Sequence, residues 1–287
     1  MLWGWGFDFP APRVARICYQ VVIKLIKNQL ENVRGFCHNG ITPQERTPMS
    51  LIRSKDRKVT NAVTPNGKQA SIANTFGIPS GKAYSCPGAT SVCESVCYAG
   101  KLEKVFKGVR VNLLANWEQL NGADYLTMYS LLHEMISDFV KDCEKRGAEK
   151  MFRIHWDGDF FNEDYTLAWR DVICDFQDVQ FWAYTRSDFA VPILKDIPNL
   201  GLFFSTDDDN RELGKSIKAE HGVKLAFLAK TFAEGKLGML PISPKSAVPC
   251  PENNGKLPMI SEKGSACVTC SQCVFARNDI LFSATKK

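Results

Sequence analysis

Seven of the eleven cysteines in this 287-residue chain fall into two tight groups, Cys86/Cys93/Cys97 and Cys250/Cys267/Cys270/Cys273. Cys18, Cys37, Cys143 and Cys174 stand singly. Grouped thiols serve as disulfides in oxidising compartments and as metal ligands in reducing ones. Residues 1–10 offer neither a basic start nor a small-residue cleavage site after an apolar run. A reducing, cytoplasmic setting and metal ligation are therefore expected.

In Ser85-Cys86-Pro-Gly-Ala-Thr-Ser-Val-Cys93-Glu-Ser-Val-Cys97-Tyr98-Ala-Gly100, Cys93 and Cys97 share one face if the segment is helical. Cys86 lies just before that turn, where a loop can fold it back. Three thiolates hold three irons of a four-iron, four-sulfide (4Fe-4S) cubane, leaving the fourth iron to water, substrate or a distant ligand. Zinc completed by His155 or a remote Cys is the competing reading, and three unligated thiols the plainest one. The second group runs Cys250-Pro251, fifteen further residues, then Cys267-x2-Cys270-x2-Cys273. It resembles a ferredoxin run in reversed order and predicts a second cluster, with a zinc knot as its alternative. Cys250 could instead complete the first group.

The elements that must carry these groups show a regular pattern. Strand signals at 71–78, 151–156, 179–185, 200–205 and 223–229 alternate with helix signals at 163–176, 189–197 and 210–221. Two further helices are predicted at 105–117 and 123–145. This alternation implies an α/β fold of parallel strands. A partial or complete TIM-like βα barrel is expected, with an open doubly wound sheet as the alternative. The division expected is a basic extension and linker at 1–70, a barrel-like core at 71–240 and a cysteine-rich segment at 241–287 packed on that core. Met49 offers a second start, which makes the first 48 residues a dispensable extension. Within them, 14–30 has the spacing of a short amphipathic helix, read as docked on the main domain rather than on a membrane or partner.

Function in parallel βα folds collects at the carboxyl ends of the strands. There the sequence places His155, Asp157, Asp159, Tyr184, Arg186, Asp207 and Lys230. Strand alternation sends Arg153, His155 and Asp157 to one face. Singly, each polar residue reads as an ion pair or cap; together they suggest a substrate mouth with acid, base and cation. Asp207-Asp208-Asp209 is read as a helix cap rather than a cation site. His38, His133 and His221 are read as structural.

Composition limits the partners. At 45% hydrophobic and 23% charged the chain is of ordinary globular type, and no run approaches the roughly 18 apolar residues of a membrane span. The net charge of +5 is concentrated in residues 1–60, where ten Lys/Arg face four acids; the remainder is near neutral. Extended duplex nucleic acid is a poor match for such a body, although the basic arm offers phosphate contacts.

Two resemblances follow from these motifs. Cys-Pro-Gly-Ala with Cys93-x3-Cys97-Tyr98-Ala, His-x-Asp-Gly-Asp-Phe-Phe (155–161), Phe-Trp-Ala-Tyr-Thr-Arg (181–186) and the Cys-x2-Cys-x2-Cys tail resemble the phage gene product 88 family from about Asn74 onward. Residues 1–48 lie outside that resemblance, which implies phage origin, a host-cytosol setting and cluster binding. A more distant similarity is to radical S-adenosylmethionine enzymes, with Asp157-Gly158-Asp159 and Ser205-Thr206-Asp207 at their strand-end positions. It implies S-adenosylmethionine as a cofactor. Gly100 in place of a third closely spaced Cys, and Asp-Gly-Asp in place of Gly-Gly-Glu, argue against that use. The leading expectation is a 4Fe-4S protein with redox or radical chemistry at the mouth, on a substrate the sequence does not identify. Its rival is a binding protein with structural clusters or zinc, engaging nucleic acid or a host protein through the basic arm.

Overall fold

A computed structural model describes residues 50–59, 72–243, 247–261 and 264–285. All of these belong to one compact unit, Met49–Lys287. The helix expected at 14–30 and most of the extension and linker at 1–70 lie outside the described residues. No helix among the described residues is long and apolar enough to cross a membrane.

Seven strands form one sheet: β1 (Thr75–Gly77), β2 (Met151–Asp157), β3 (Gln180–Thr185), β4 (Leu200–Thr206), β5 (Lys224–Ala229), β6 (Val248–Pro249) and β9 (Ile280–Ser283). Their order is β1-β2-β3-β4-β5-β9-β6 and every pairing is parallel. A small antiparallel pair, β7 (Ile260–Ser261) and β8 (Gly264–Ser265), stands apart. Consecutive strands lie side by side from β1 to β5, as in a barrel wall, with no reversal of order over that stretch. The sheet is nonetheless open. β1 ends one edge, bridged only at Thr75 by Ser54, and β6 ends the other, so no complete barrel closes among the described residues.

The helices are α1 (Ser91–Val96), α2 (Tyr98–Val105), α3 (Lys107–Leu120), α4 (Tyr125–Arg146), α5 (Glu163–Asp175), α6 (Ala190–Leu194), α7 (Arg211–His221), α8 (Phe232–Met239) and α9 (Ala266–Cys270). Local chemistry sets their limits. Asp124 caps α4 by accepting from the Thr127 amide at 2.8 Å, and Gly147, at φ 59°, ends it in the left-handed conformation that lacks a Cβ penalty. Met128, Leu131, Leu132, Met135, Ile136 and Phe139 recur at helical spacing along its buried face.

Alternation along the strands separates two faces. Phe152, Ile154, Phe181, Ala183, Leu202, Phe204, Leu225, Phe227 and Leu281 point into the main core beneath the helices. Trp182, Tyr184, Phe203, Ala226 and Ile280 point the other way, where Val59, Val248, Cys250, Cys273 and Val274 cover them. This second face is thus packed by the cysteine-rich carboxy-terminal segment, including the five-residue helix α9. A Cβ on Gly201 of β4 would stand 2.6 Å from the carbonyl oxygens of Cys273 and Val274, so only glycine admits that segment so close. Gln180 fixes the same turn by donating to the Val274 carbonyl at 2.9 Å.

Candidate functional site

The first thiol group lies on the loop and short helices between β1 and β2, docked on the carboxyl ends of β2, β3 and β4. Thr90 caps α1, accepting from the Cys93 amide at 3.0 Å while its hydroxyl donates to Asp207 at 2.5 Å. Asp207, fully buried, is paired with Arg186 at 2.9 Å. Asp209 accepts from the Val92 amide at 3.2 Å and from the Ser91 hydroxyl. Gly88 completes the docking: a Cβ there would fall 2.1 Å from the Arg186 carbonyl oxygen. The acids after β4 therefore hold the cysteine segment, and they do not cap α7 as their run suggested: its N-cap is Asn210, with no side-chain capping bond, and Asp208 pairs with Arg211.

Cys93 and Cys97 do not share one helical face, contrary to the spacing argument. α1 stops at Val96 because Cys97 adopts φ −54°, ψ 110°, and Cys97 instead caps α2, its Sγ accepting from the Gly100 amide at 3.3 Å. Cys86 is close to Asp159 and Asp157; burial first, and then the Asp159 charge, push its thiol well above the ordinary range. Burial also raises Cys93, against the opposing pull of Arg186.

Asp159 joins two strand ends. Its carboxylate accepts from the Thr185 hydroxyl, the Phe160 amide and the Arg186 amide, each at 2.7 Å. Burial outweighs these bonds and pushes its pKa up to about 6. Asp157 is more isolated. It is 2% exposed, and neither oxygen meets a donor at hydrogen-bonding geometry among the described residues. Its polar neighbours are Ser80 and Glu103, and the Ser80 hydroxyl is committed to Glu103 at 2.6 Å. Burial and then the Glu103 charge push Asp157 up to about 8.

Three expected mouth residues lie elsewhere. His155 has φ 58°, which breaks the alternation and turns its ring to the helix-covered face, against Phe160, Tyr165 and Trp169. Its Nε2 is 2.8 Å from the Tyr165 hydroxyl, and burial, with Arg153 adding to it, pushes its pKa down to about 3. It is a neutral core residue and cannot serve the mouth as a base. Tyr184 faces the side covered by the carboxy-terminal segment, packs on Phe203 and donates its hydroxyl to Cys273. Lys230 is exposed beyond β5, and its carbonyl, rather than its ammonium, makes the bonds to Ser283 and Thr285.

The second group converges more fully. Cys250, Cys267, Cys270 and Cys273 line a single cavity of about 20 Å³ with Pro251, Glu252 and Ile280. All four are free thiols, as are Cys86, Cys93 and Cys97. The amides of Asn253 and Glu252 donate to the Cys250 sulfur. Burial pushes Cys273 up to about 12 and raises Cys267 and Cys250 as well. The Lys58 ammonium, 2.8 Å from Glu252, and the Arg153 guanidinium, 2.9 Å from Asp56, supply nearby positive charge. Arg153 also links the two thiol groups: it donates to the Tyr98 hydroxyl, next to Cys97, at 3.2 Å and lies 5.8 Å from the Tyr184 ring.

Among the described residues, no three His, Cys, Asp or Glu side chains are gathered tightly enough to clasp an ion as they stand. The chemistry of the second group nevertheless suits a thiophilic metal. Four thiols border one space, amides and a phenol aim donors at two of them, and cations offset their charge. Desolvation raises Cys250, Cys267 and Cys273, so without a metal these three favour the neutral thiol. Arg153, Lys58, Glu103 and Thr90 complete the two sites and were not among the expected site residues. A Thr immediately before a helical run was the readable sign for Thr90; the others are joined to their partners only by the fold.

The Gene product 88 family model matches residues 49–276, a span that contains both thiol groups. The chain is 52% identical over 244 residues to the Gene 88 protein of Mycobacterium phage D29, covering 83% of this chain and 99% of that protein. It is 50% identical over 242 residues to the Gene 88 protein of Mycobacterium phage L5, with the same coverage. No solved structure matches. With four fifths of the chain aligned at this identity, the protein belongs to the Gene product 88 family.

Proposed function

We propose that this protein is a metal–thiolate protein in which Cys250, Cys267, Cys270 and Cys273 hold an iron–sulfur cluster, with Cys86, Cys93 and Cys97 as a second, incompletely ligated site at the strand-end mouth. The observation that carries the reading is the convergence of four free thiols on one cavity. When bound, such a cluster supplies one-electron transfer. The chain's own contribution is electrostatic. The Asn253 and Glu252 amides and the Tyr184 hydroxyl stabilise negative sulfur, while Arg153 and Lys58 balance the charge of four thiolates. At the mouth, Asp157 and Asp159 provide carboxyls and Arg186 is held in place by Asp207. The proposal stops short of S-adenosylmethionine, because Gly100 stands where that chemistry needs a closely spaced thiol.

A single tetrahedral zinc ion is the second reading, because the same four free thiols make a complete zinc ligand set. Protein purified without oxygen decides between them. Iron and sulfide in about equal amounts, near four of each per site, with visible absorption lost in Cys267→Ser and Cys270→Ser, support the cluster. Zinc without sulfide replaces it with the second reading, and metal-free protein of full stability removes both. Cys143→Ser and Cys174→Ser leave the metal content unchanged in either case.

A further inference from the structure

α2 and α3 meet at an elbow that exposes apolar and cationic side chains together. Val105, Phe106 and Val111 are 68%, 53% and 63% exposed, three large apolar residues within one helical connection. Lys101, Lys104, Lys107 and Arg110 are exposed around them, and none makes an ion pair among the described residues. The one acid within the run, Glu103, turns inward to Ser80. This positive charge is local, because the chain beyond residue 60 is near neutral overall. The protein spends nothing on pairing these cations internally, and their density suits a polyanion.

We propose that this elbow binds single-stranded nucleic acid, with phosphates on the four cations and bases stacked on the exposed aromatic rings. The inference is independent of the metal centre. Phe106 has extended backbone geometry between the helices and stands at the tip, with cations three residues apart on both sides. Tyr98, 54% exposed, is held by its hydroxyl, which donates to the Trp156 carbonyl at 2.9 Å and accepts from Arg153 at 3.2 Å. A ring fixed by its polar end is a stacking platform prepared in advance, and stacking tolerates any base. An anionic bilayer would take an apolar face running along one helix, whereas Val105 ends α2, Phe106 lies between the helices and Val111 is in α3. The elbow continues directly from Cys97, so a bound strand would pass the mouth.

The test uses the full chain and a labelled oligothymidine of roughly twenty nucleotides, followed by fluorescence anisotropy. K104E/K107E is expected to weaken binding at least about tenfold and to lower the log–log salt slope by roughly 1.4, the share of two single-strand phosphate contacts. F106A is expected to weaken it at least about fivefold, the low end for loss of one stacked base. K215E, on α7, leaves it unchanged. All four positions are exposed, and matching thermal melts confirm that the variants fold. Wild-type affinity in both elbow variants assigns any binding to the basic arm at residues 1–60 and overturns the proposal. So do absence of binding, tighter binding to duplex of the same length, and binding only to phosphatidylserine vesicles.

Discussion

His155 shows how one backbone angle changes a residue's role. Unfolded, an imidazole gains its proton near pH 6.5; in the fold, burial moves that step down to about 3. Between those values the unfolded chain binds a proton that the native chain does not. Stability is therefore lost as pH falls from 6.5 toward 3, at up to roughly 1.4 kcal/mol per pH unit. Asp157 and Asp159 act in the opposite sense. Their pKa values rise from 3.8 to about 8 and about 6, so the native chain keeps protons the unfolded one has released, and their cost grows as pH rises through those windows. Comparing wild type with His155→Asn isolates the imidazole, since Asn tolerates φ 58° and does not titrate. Urea unfolding between about pH 7 and pH 4.5 should show the variant gaining stability relative to wild type as pH falls, by up to roughly 1.4 kcal/mol per pH unit. A slope equal to that of wild type would mean that His155 titrates normally.

At the scale of elements, the two cysteine segments are held by different means, and each can be released separately. The loop between β1 and β2 hangs on the buried Arg186–Asp207 pair and on Thr90. Arg186→Met leaves Asp207 charged and buried, a loss of about 3–5 kcal/mol that denaturant unfolding would measure. The carboxy-terminal segment rests on β4 through Gly201, where a methyl group would meet two backbone carbonyls that cannot rotate away. Gly201→Ala should cost about 1–3 kcal/mol and lower metal content at the second site while leaving the strand-end loop in place. An unchanged thermal midpoint together with unchanged metal content would show that the segment does not need that close approach.

For the molecule as a whole, the family match and the described compact unit both begin at residue 49. The curated relatives align over 99% of their own length with 83% of this chain. A chain starting at Met49 is therefore expected to keep the thermal midpoint of the full chain to within about 2 °C, a change below roughly 1 kcal/mol. A larger fall would assign residues 1–48 a part in the stability of the fold.

Periodicity in the sequence determined the α/β class, five of the parallel strands and the long buried helix α4, because hydrophobic spacing is local and burial follows it. Spacing also set the two cysteine groups apart from the scattered thiols. The third dimension decided what spacing cannot encode. His155 left the mouth through a single left-handed residue, and Tyr184 joined the second thiol group because that group covers the sheet face on which Tyr184 lies. Ile280–Ser283, unnoticed as a strand, entered the sheet between β5 and β6. The cysteines themselves were plain in the sequence. Which of them share a space depended on a chain that returns over β4 after β1 to β6 and before β9, and no local pattern records a contact made at that distance.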